Sequence, residues 1–238
     1  RAALRGFKAT EAGELYARML RRHVPDARVD VATPADPGPA LPAGASLADY
    51  DGLALTGSSL SLARREDPRV RRLLELARAA ARAGVPGFGS CFAAQLAAVA
   101  AGVTCAPNPR GREFGVARGI RLTERGRTHP LLAGRPPVFD AFTSHADHVT
   151  VLPPATPALA GNHWSAVQAL AVEAPTLFWA VQYHPEYDPR EIGRLALLRA
   201  GELAAQGSFP SVEAVRQWAA DMEALAAGRG RSGRRLGA

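Results

Sequence analysis

Two short segments carry residues whose types and order could do covalent chemistry. Residues 85–95 read VPGFGSCFAAQ, a buried apolar run that meets glycines, then Ser90-Cys91, then a helix-forming stretch. Gly87 and Gly89 let the backbone turn sharply. This is the layout of a nucleophile elbow, which exposes one side chain at the top of a sheet. Cys91 would stand at a helix N-terminus, where the dipole favours thiolate over thiol and backbone N–H groups are available to an oxyanion. A thiolate that attacks an amide needs an imidazole, and the imidazole needs an orienting group. Of the six histidines, His184 stands out, because it ends a strand-like run over 177–183 within QYHPEYDP. Strand ends are where sites gather in α/β sheets. Glu186 lies just beyond, and Pro185 between them stiffens the turn. Each segment alone also has a plainer reading, a core cysteine and an exposed His-Pro-Glu turn. Cys105 lacks any such setting and reads as core.

The elements around these segments alternate short apolar runs with helical stretches, which predicts an α/β fold. Leu15, Met19 and Leu20, with Ala12 and Tyr16, share one helical face, and Thr10 is the expected N-cap. A strand is expected over 28–33 and a Pro/Gly/Ala-rich loop over 34–45. A buried strand at 53–55 ends at Thr56-Gly57-Ser58. Asp67-Pro68 starts a helix that Gly84 stops. Strand 85–88 then leads into the Cys91 helix. From 103 to 183 the character changes to strands with few helices between them: 116–122, 138–143, 149–152, 166–172 and 177–183. Such strands pair mostly antiparallel. Asp188-Pro189 caps a helix running to about 205, and Ser211 caps a last one over 212–227. The expectation is a parallel-sheet half with an antiparallel extension. No convincing strand precedes the Thr10 helix, which leaves a first strand expected upstream of Arg1.

Composition narrows the function classes. The chain has 238 residues, 47% of them hydrophobic, enough for a sizeable core. The net charge is +7, yet Lys8 is the only lysine, and the arginines are scattered among acidic residues on helix faces. That pattern points to genome composition rather than nucleic-acid binding; the one concentrated basic patch is a tail over 228–238. No apolar run approaches the ~20 residues of a membrane helix. With only two cysteines, a disulfide framework and a cysteine-pair zinc site are both excluded, and a cytoplasmic setting is expected. His145 and His148 are a weak metal hint with no completing ligand set. Gly111 to Gly115 lacks the Lys-Ser/Thr of a phosphate loop, so no nucleotide, metal or other cofactor is expected.

Taken together, Gly89-Ser90-Cys91-Phe92-Ala93-Ala94-Gln95 and Gln182-Tyr183-His184-Pro185-Glu186 resemble the two motifs of class I glutamine amidotransferases of the triad type. Those motifs are a Gly-x-Cys-x-Gly-x-Gln elbow and a late Gln-Phe/Tyr-His-Pro-Glu segment. Arg112-Glu113-Phe114-Gly115 and Ser144-His145-Ala146-Asp147 resemble the GMP-synthetase-like branch, and Thr56-Gly57-Ser58 resembles the family's oxyanion loop. The resemblance spans roughly residues 50–200. It implies a flavodoxin-like three-layer sandwich, with one domain over 1–227. It implies Cys91 as the nucleophile that forms a γ-glutamyl thioester, His184 as general base and acid, and Glu186 as its orienting partner. The backbone N–H groups of Gly57 and Phe92 would form the oxyanion hole. Gln95, Ser144 and His145 would hold the α-amino and α-carboxylate end of glutamine. Ammonia would pass to a separate synthase. The alternatives are a free-standing γ-glutamyl hydrolase or peptidase, and a non-catalytic binding or regulatory relative. Ala93 departs from the family's glycine, and its methyl is expected to crowd the glutamine pocket.

Overall fold

A strand at Gly87–Ser90 forms where Val85 and Phe88 deliver a short apolar run into the glycines before Cys91, and the rest of the sheet is built on both sides of it. The computed structural model describes residues 4, 6–152, 156–173 and 176–228; the basic tail, past Gly228, lies outside them. In chain order the elements are α1 (Ala12–His23), β1 (Leu53–Leu55), α2 (Pro68–Arg82), β2 (Gly87–Ser90), α3 (Phe92–Ala100), β3 (Thr104–Pro107), β4 (Glu113–Leu122) and α4 (Glu124–Thr128). They continue with β5 (Val138–His145), β6 (Asp147–Val151), β7 (Ala158–Gly161), β8 (Ala169–Val172) and β9 (Phe178–Val181). Helices α5 (Pro189–Leu198), α6 (Ala200–Ala205) and α7 (Val212–Ala226) follow. Residues 12–185 form one compact unit; the residues before 12 and after 185 form a second.

The larger unit holds a seven-stranded sheet in the order β1-β2-β9-β8-β7-β4-β5, and a separate β3-β6 ribbon. β1, β2 and β9 run parallel; β8, β7, β4 and β5 extend the sheet antiparallel. This is the α/β architecture expected, a parallel part joined to an antiparallel extension. One face of the sheet is covered by a cluster that includes Ile120, Leu159, Ala171 and Tyr183, with Phe88 and Trp179 against it. The other face is packed by α2 and α3 through Leu55, Val70, Leu74, Phe92 and Leu96. α3 is buried from Phe92 to Val99, which is why its sequence is apolar apart from Gln95 and lacks an amphipathic stripe.

The smaller unit is held by polar contacts of long sequence range. The Thr10 N–H and hydroxyl both donate to the Glu191 carboxylate, at 2.6 and 3.0 Å. Thr10 is therefore not the α1 cap that the sequence suggests: its side chain is bound to α5. Asp188 caps α5 by accepting from Glu191 N–H, and Ser211 caps α7 by accepting from Ala214 N–H, as expected. α5 ends at Leu198, and Arg199, at φ −109° and ψ 16°, separates it from α6, so the single helix expected to 205 is two. Residues 28–33 form no strand. They pair with none of the described strands, and Val31 is 52% exposed. An alternating pattern makes a strand only where a ladder forms. The short strands β3 and β7 escape a sequence reading because TCAP and ALAG are poor strand formers, set by their neighbours.

Helix α3 and strand β1 both crowd Gly89. A Cβ there would collide with the Ala93 methyl and lie 2.8 Å from the Leu55 carbonyl oxygen. The Ala93 methyl thus faces the β2 backbone inside the core cluster, fully buried, and Gly89 leaves the room it occupies. Replacing Gly89 with alanine should cost about 1–3 kcal/mol through overpacking. Adding Ala93→Gly in the same chain should recover part of that loss, and thermal denaturation of the single and double variants measures both.

Candidate active site

The hand-over from β2 to α3 forces Cys91 into an unusual backbone. Its φ is 55° and ψ −109°, a conformation that costs a non-glycine residue energy and is held only where the surroundings over-determine it. The surroundings do so here. The Cys91 N–H donates to Val181 O on β9 at 2.8 Å, and the Cys91 carbonyl accepts from Ala94 and Gln95 N–H in the first turn of α3. By helix geometry the N–H groups of Phe92 and Ala93 have no acceptor within α3. The preceding Ser90 is fully buried and accepts a 2.6 Å hydrogen bond from the Tyr16 hydroxyl on α1. Cys91 is only 4% exposed, and its thiol donates to the Ser144 carbonyl at 3.5 Å.

His184 arrives from the other side. Its N–H donates to Phe142 O on β5 at 2.8 Å, which fixes the residue just past the end of β9. Its ring lies over the loop that follows β1. A Cβ at Gly57 would stand 2.7 Å from His184 Cε1 and 3.4 Å from Cys91 Cβ. Only a glycine fits between the imidazole and the cysteine, so the backbone of residue 57 reaches both. Three sequence-predicted residues, Cys91, His184 and Gly57, therefore converge, and Phe92 follows on the first turn of α3. Glu186 is half-buried on the turn that leads into the smaller unit.

Gln95, Ser144 and His145 come together beside Cys91, Ser144 through its carbonyl and the other two at Asp147 O. The Gln95 amide donates to Asp147 O at 2.8 Å and to Gln182 Oε1 at 3.3 Å. His145 is 3% exposed, and both ring nitrogens are engaged, Nδ1 with Asp147 O at 2.9 Å and Nε2 with Glu113 Oε2 at 2.8 Å. Glu113 stands directly opposite His145 in the β4–β5 register. Its carboxylate also accepts from Asn162 Nδ2 at 2.7 Å and Gln168 Nε2 at 2.8 Å. Burial pushes the Glu113 carboxyl up, but the His145 hydrogen bond and charge and the two amides outweigh it and hold the carboxyl below its ordinary value. The Asp147 carboxylate takes the Ser61 hydroxyl at 2.5 Å, which ties the Gly57 loop to the β5–β6 turn.

Glu113, Asn162, Gln168, Gln182, Ser61 and Tyr16 are the participants that sequence reasoning did not assign to the site. Of these, only Glu113 and Gln182 lay in segments that carried a signal, and that signal gave neither a role. Cys105 donates to Gln95 O at 3.6 Å, and burial, with the nearby Asp147 charge, pushes its thiol up to about 12. Among the described residues no three metal-ligating side chains cluster, and no helix is long and apolar enough to cross a membrane.

Comparison with known proteins adds independent findings. Residues 13–200 match the family model described as Glutamine amidotransferase class-I. The chain is 33% identical, over 96% of its length and 77% of the relative's, to a gamma-glutamyl-L-1-hydroxyisopropylamide hydrolase from a Pseudomonas species. It is 32% identical to the glutamine-hydrolyzing GMP synthase of Thermomicrobium roseum, over 78% of this chain but only 32% of that enzyme. Among solved structures, a glutamine amidotransferase from Thermotoga maritima superposes with a TM-score of 0.67 at 16% identity, covering 92% of this chain and 91% of the other. A glutamine amido transferase from Methylobacillus flagellatus gives 0.65 at 21% identity, covering 96% and 94%. Both share the fold.

The lowered Glu113 carboxyl predicts a signed pH effect. Its contribution to stability is complete above the ordinary glutamate value of about 4.3. It is lost as pH falls below that, through the folded-state value. Glu113→Gln should therefore flatten this part of the acid limb in a denaturation series across pH.

Proposed function

The chain belongs to the class I glutamine amidotransferase family, and on that basis we propose that it hydrolyses the γ-amide bond of a γ-glutamyl compound through a thioester on Cys91. The observation that carries this reading is the meeting of Cys91 and His184 at Gly57. An amide carbon is a poor electrophile, so its attack calls for a strong nucleophile and a ready-made oxyanion site.

In this reading His184 takes the Cys91 proton and the sulfur attacks the γ-carbonyl carbon. The carbonyl π pair moves onto oxygen, where the N–H groups of Gly57 and Phe92 receive it. Collapse of the tetrahedral adduct breaks the C–N bond, and the leaving amine takes its proton from His184. Water then attacks the thioester carbon as His184 accepts its proton, glutamate leaves, and Cys91 is restored. Glu186 holds the imidazole in one tautomer and stabilises its protonated form. Gln95 and the Ser144-His145 backbone hold the amino-acid end. The His145 ring, engaged at both nitrogens, serves by fixing that backbone. The catalytic machinery belongs to one amidotransferase-like domain over 1–227, in a cytoplasmic setting.

The favoured substrate class is a γ-glutamyl alkylamide or glutamine hydrolysed by the chain alone. The similarity to the Pseudomonas hydrolase, which runs along most of both chains, supports it. A second reading, a glutaminase subunit that hands ammonia to a separate synthase, is supported by the match to GMP synthase.

The isolated protein should release glutamate from a γ-glutamyl alkylamide in a coupled assay. Cys91→Ala and His184→Ala should each lower kcat/KM by about a thousandfold or more. Glutamine turnover that appears only when a synthase is added would favour the second reading. A Cys91 that neither turns over substrate nor forms an adduct with a glutamine-mimicking electrophile, read by intact mass, would sink both.

A further inference from the structure

The polar groups beside Cys91 close into a ring. Glu113 binds His145, His145 binds Asp147 O, Gln95 binds the same carbonyl and reaches Gln182, and Gln182 pairs with Gln168 across the β8–β9 edge through its backbone N–H. Gln168 returns to Glu113. Every side chain in the ring except that of Asp147, which joins through its carbonyl, belongs to a buried residue. Glu113 brings the one buried carboxylate into it.

The ring has a direction. His145 lies between Ser144, whose carbonyl takes the Cys91 thiol, and Asp147, whose carbonyl takes both His145 Nδ1 and Gln95 Nε2. The imidazole is held at both ends, Nε2 by the Glu113 carboxylate and Nδ1 by the Asp147 carbonyl. The Glu113 carboxylate supplies the negative charge that makes such a ring favourable in a buried place. Asn162, anchored in the β7–β8 turn by donors from Trp164 and Ser165 N–H, holds the other carboxylate oxygen. The orientation of the two carbonyls beside the nucleophile is thus set from β4 and from the β7–β8 turn, neither of which touches Cys91 in this ring.

We infer that Glu113 is a positioning residue for the γ-glutamyl end of the substrate, acting through His145 on the carbonyls of Ser144 and Asp147. The inference rests on the reading of Cys91 as the nucleophile for γ-glutamyl amides. It assigns a task to a residue that does not meet the reacting atoms. A carbonyl displaced by an ångström weakens the capture of an ammonium or amide group steeply, so the loss falls on substrate affinity more than on the chemical step.

The test is steady-state kinetics on a γ-glutamyl alkylamide, with the active fraction titrated by a glutamine-mimicking electrophile and stability followed by thermal denaturation. Glu113→Ala should raise KM about ten- to a hundredfold, with a smaller change in kcat per titrated site. Glu113→Gln, which keeps the volume and one acceptor, should recover part of the KM. Asn162→Ala, which removes only the outer hold on the carboxylate, should raise KM in the same direction by less, and it keeps the test open if Glu113→Ala does not fold. A lower melting temperature or active fraction with KM unmoved in the folded variants would overturn the inference and leave a structural role. A wild-type chain without Cys91-dependent turnover would instead overturn the reading at Cys91 on which the inference rests.

Discussion

The site depends on how closely a helix can approach a strand. Only Cys91 separates the end of β2 from the start of α3, whose first turn passes over Gly89 with the Ala93 methyl between them. That closeness leaves Cys91 no ordinary conformation, and φ 55° follows. It also sets the first N–H groups of α3 beside the sulfur. The strain is balanced by bonds on both sides of the residue, from β9 to its N–H and from the first turn of α3 to its carbonyl, and by Tyr16 holding the preceding serine. Backbone strain at Cys91 and core packing beneath it are one feature of the fold.

Around that point the protein uses two kinds of support. On the side of His184 it is steric: the glycine at 57 allows the imidazole and the cysteine to share one small space, and any side chain there would push them apart. Around Gln95 it is polar: the buried Glu113 carboxylate binds His145, Asn162 and Gln168, and Gln95 shares the Asp147 carbonyl with His145. A buried charged group adds little net stability over an apolar one of the same volume. Geometry beside Cys91 is what this cluster maintains.

The two kinds of support differ in how far they can be read from the sequence. Cys91, His184 and Gly57 were legible because their chemistry fixes residue type and order: a nucleophile after glycines, a histidine at a strand end, a glycine loop after a strand. The parallel and antiparallel halves were legible too, because long-range sheet character shows in whether helices intervene between strands. Glu113 meets His145 across 32 residues, Asn162 across 49 and Gln168 across 55, through strand register that no local pattern encodes. Thr10 reads as a helix cap for the same reason: its partner Glu191 lies 181 residues away. The crowding expected from Ala93 dissolves because its methyl points to Gly89, four residues earlier and on a different element.

The environment of Cys105 has a consequence for thiol chemistry on the whole chain. The full sequence holds two cysteines, and burial, with the Asp147 charge nearby, pushes the Cys105 thiol up to about 12. Sulfur reacts as thiolate, so the label Cys105 takes near neutral pH is small, and a Cys91→Ala chain gives that background directly.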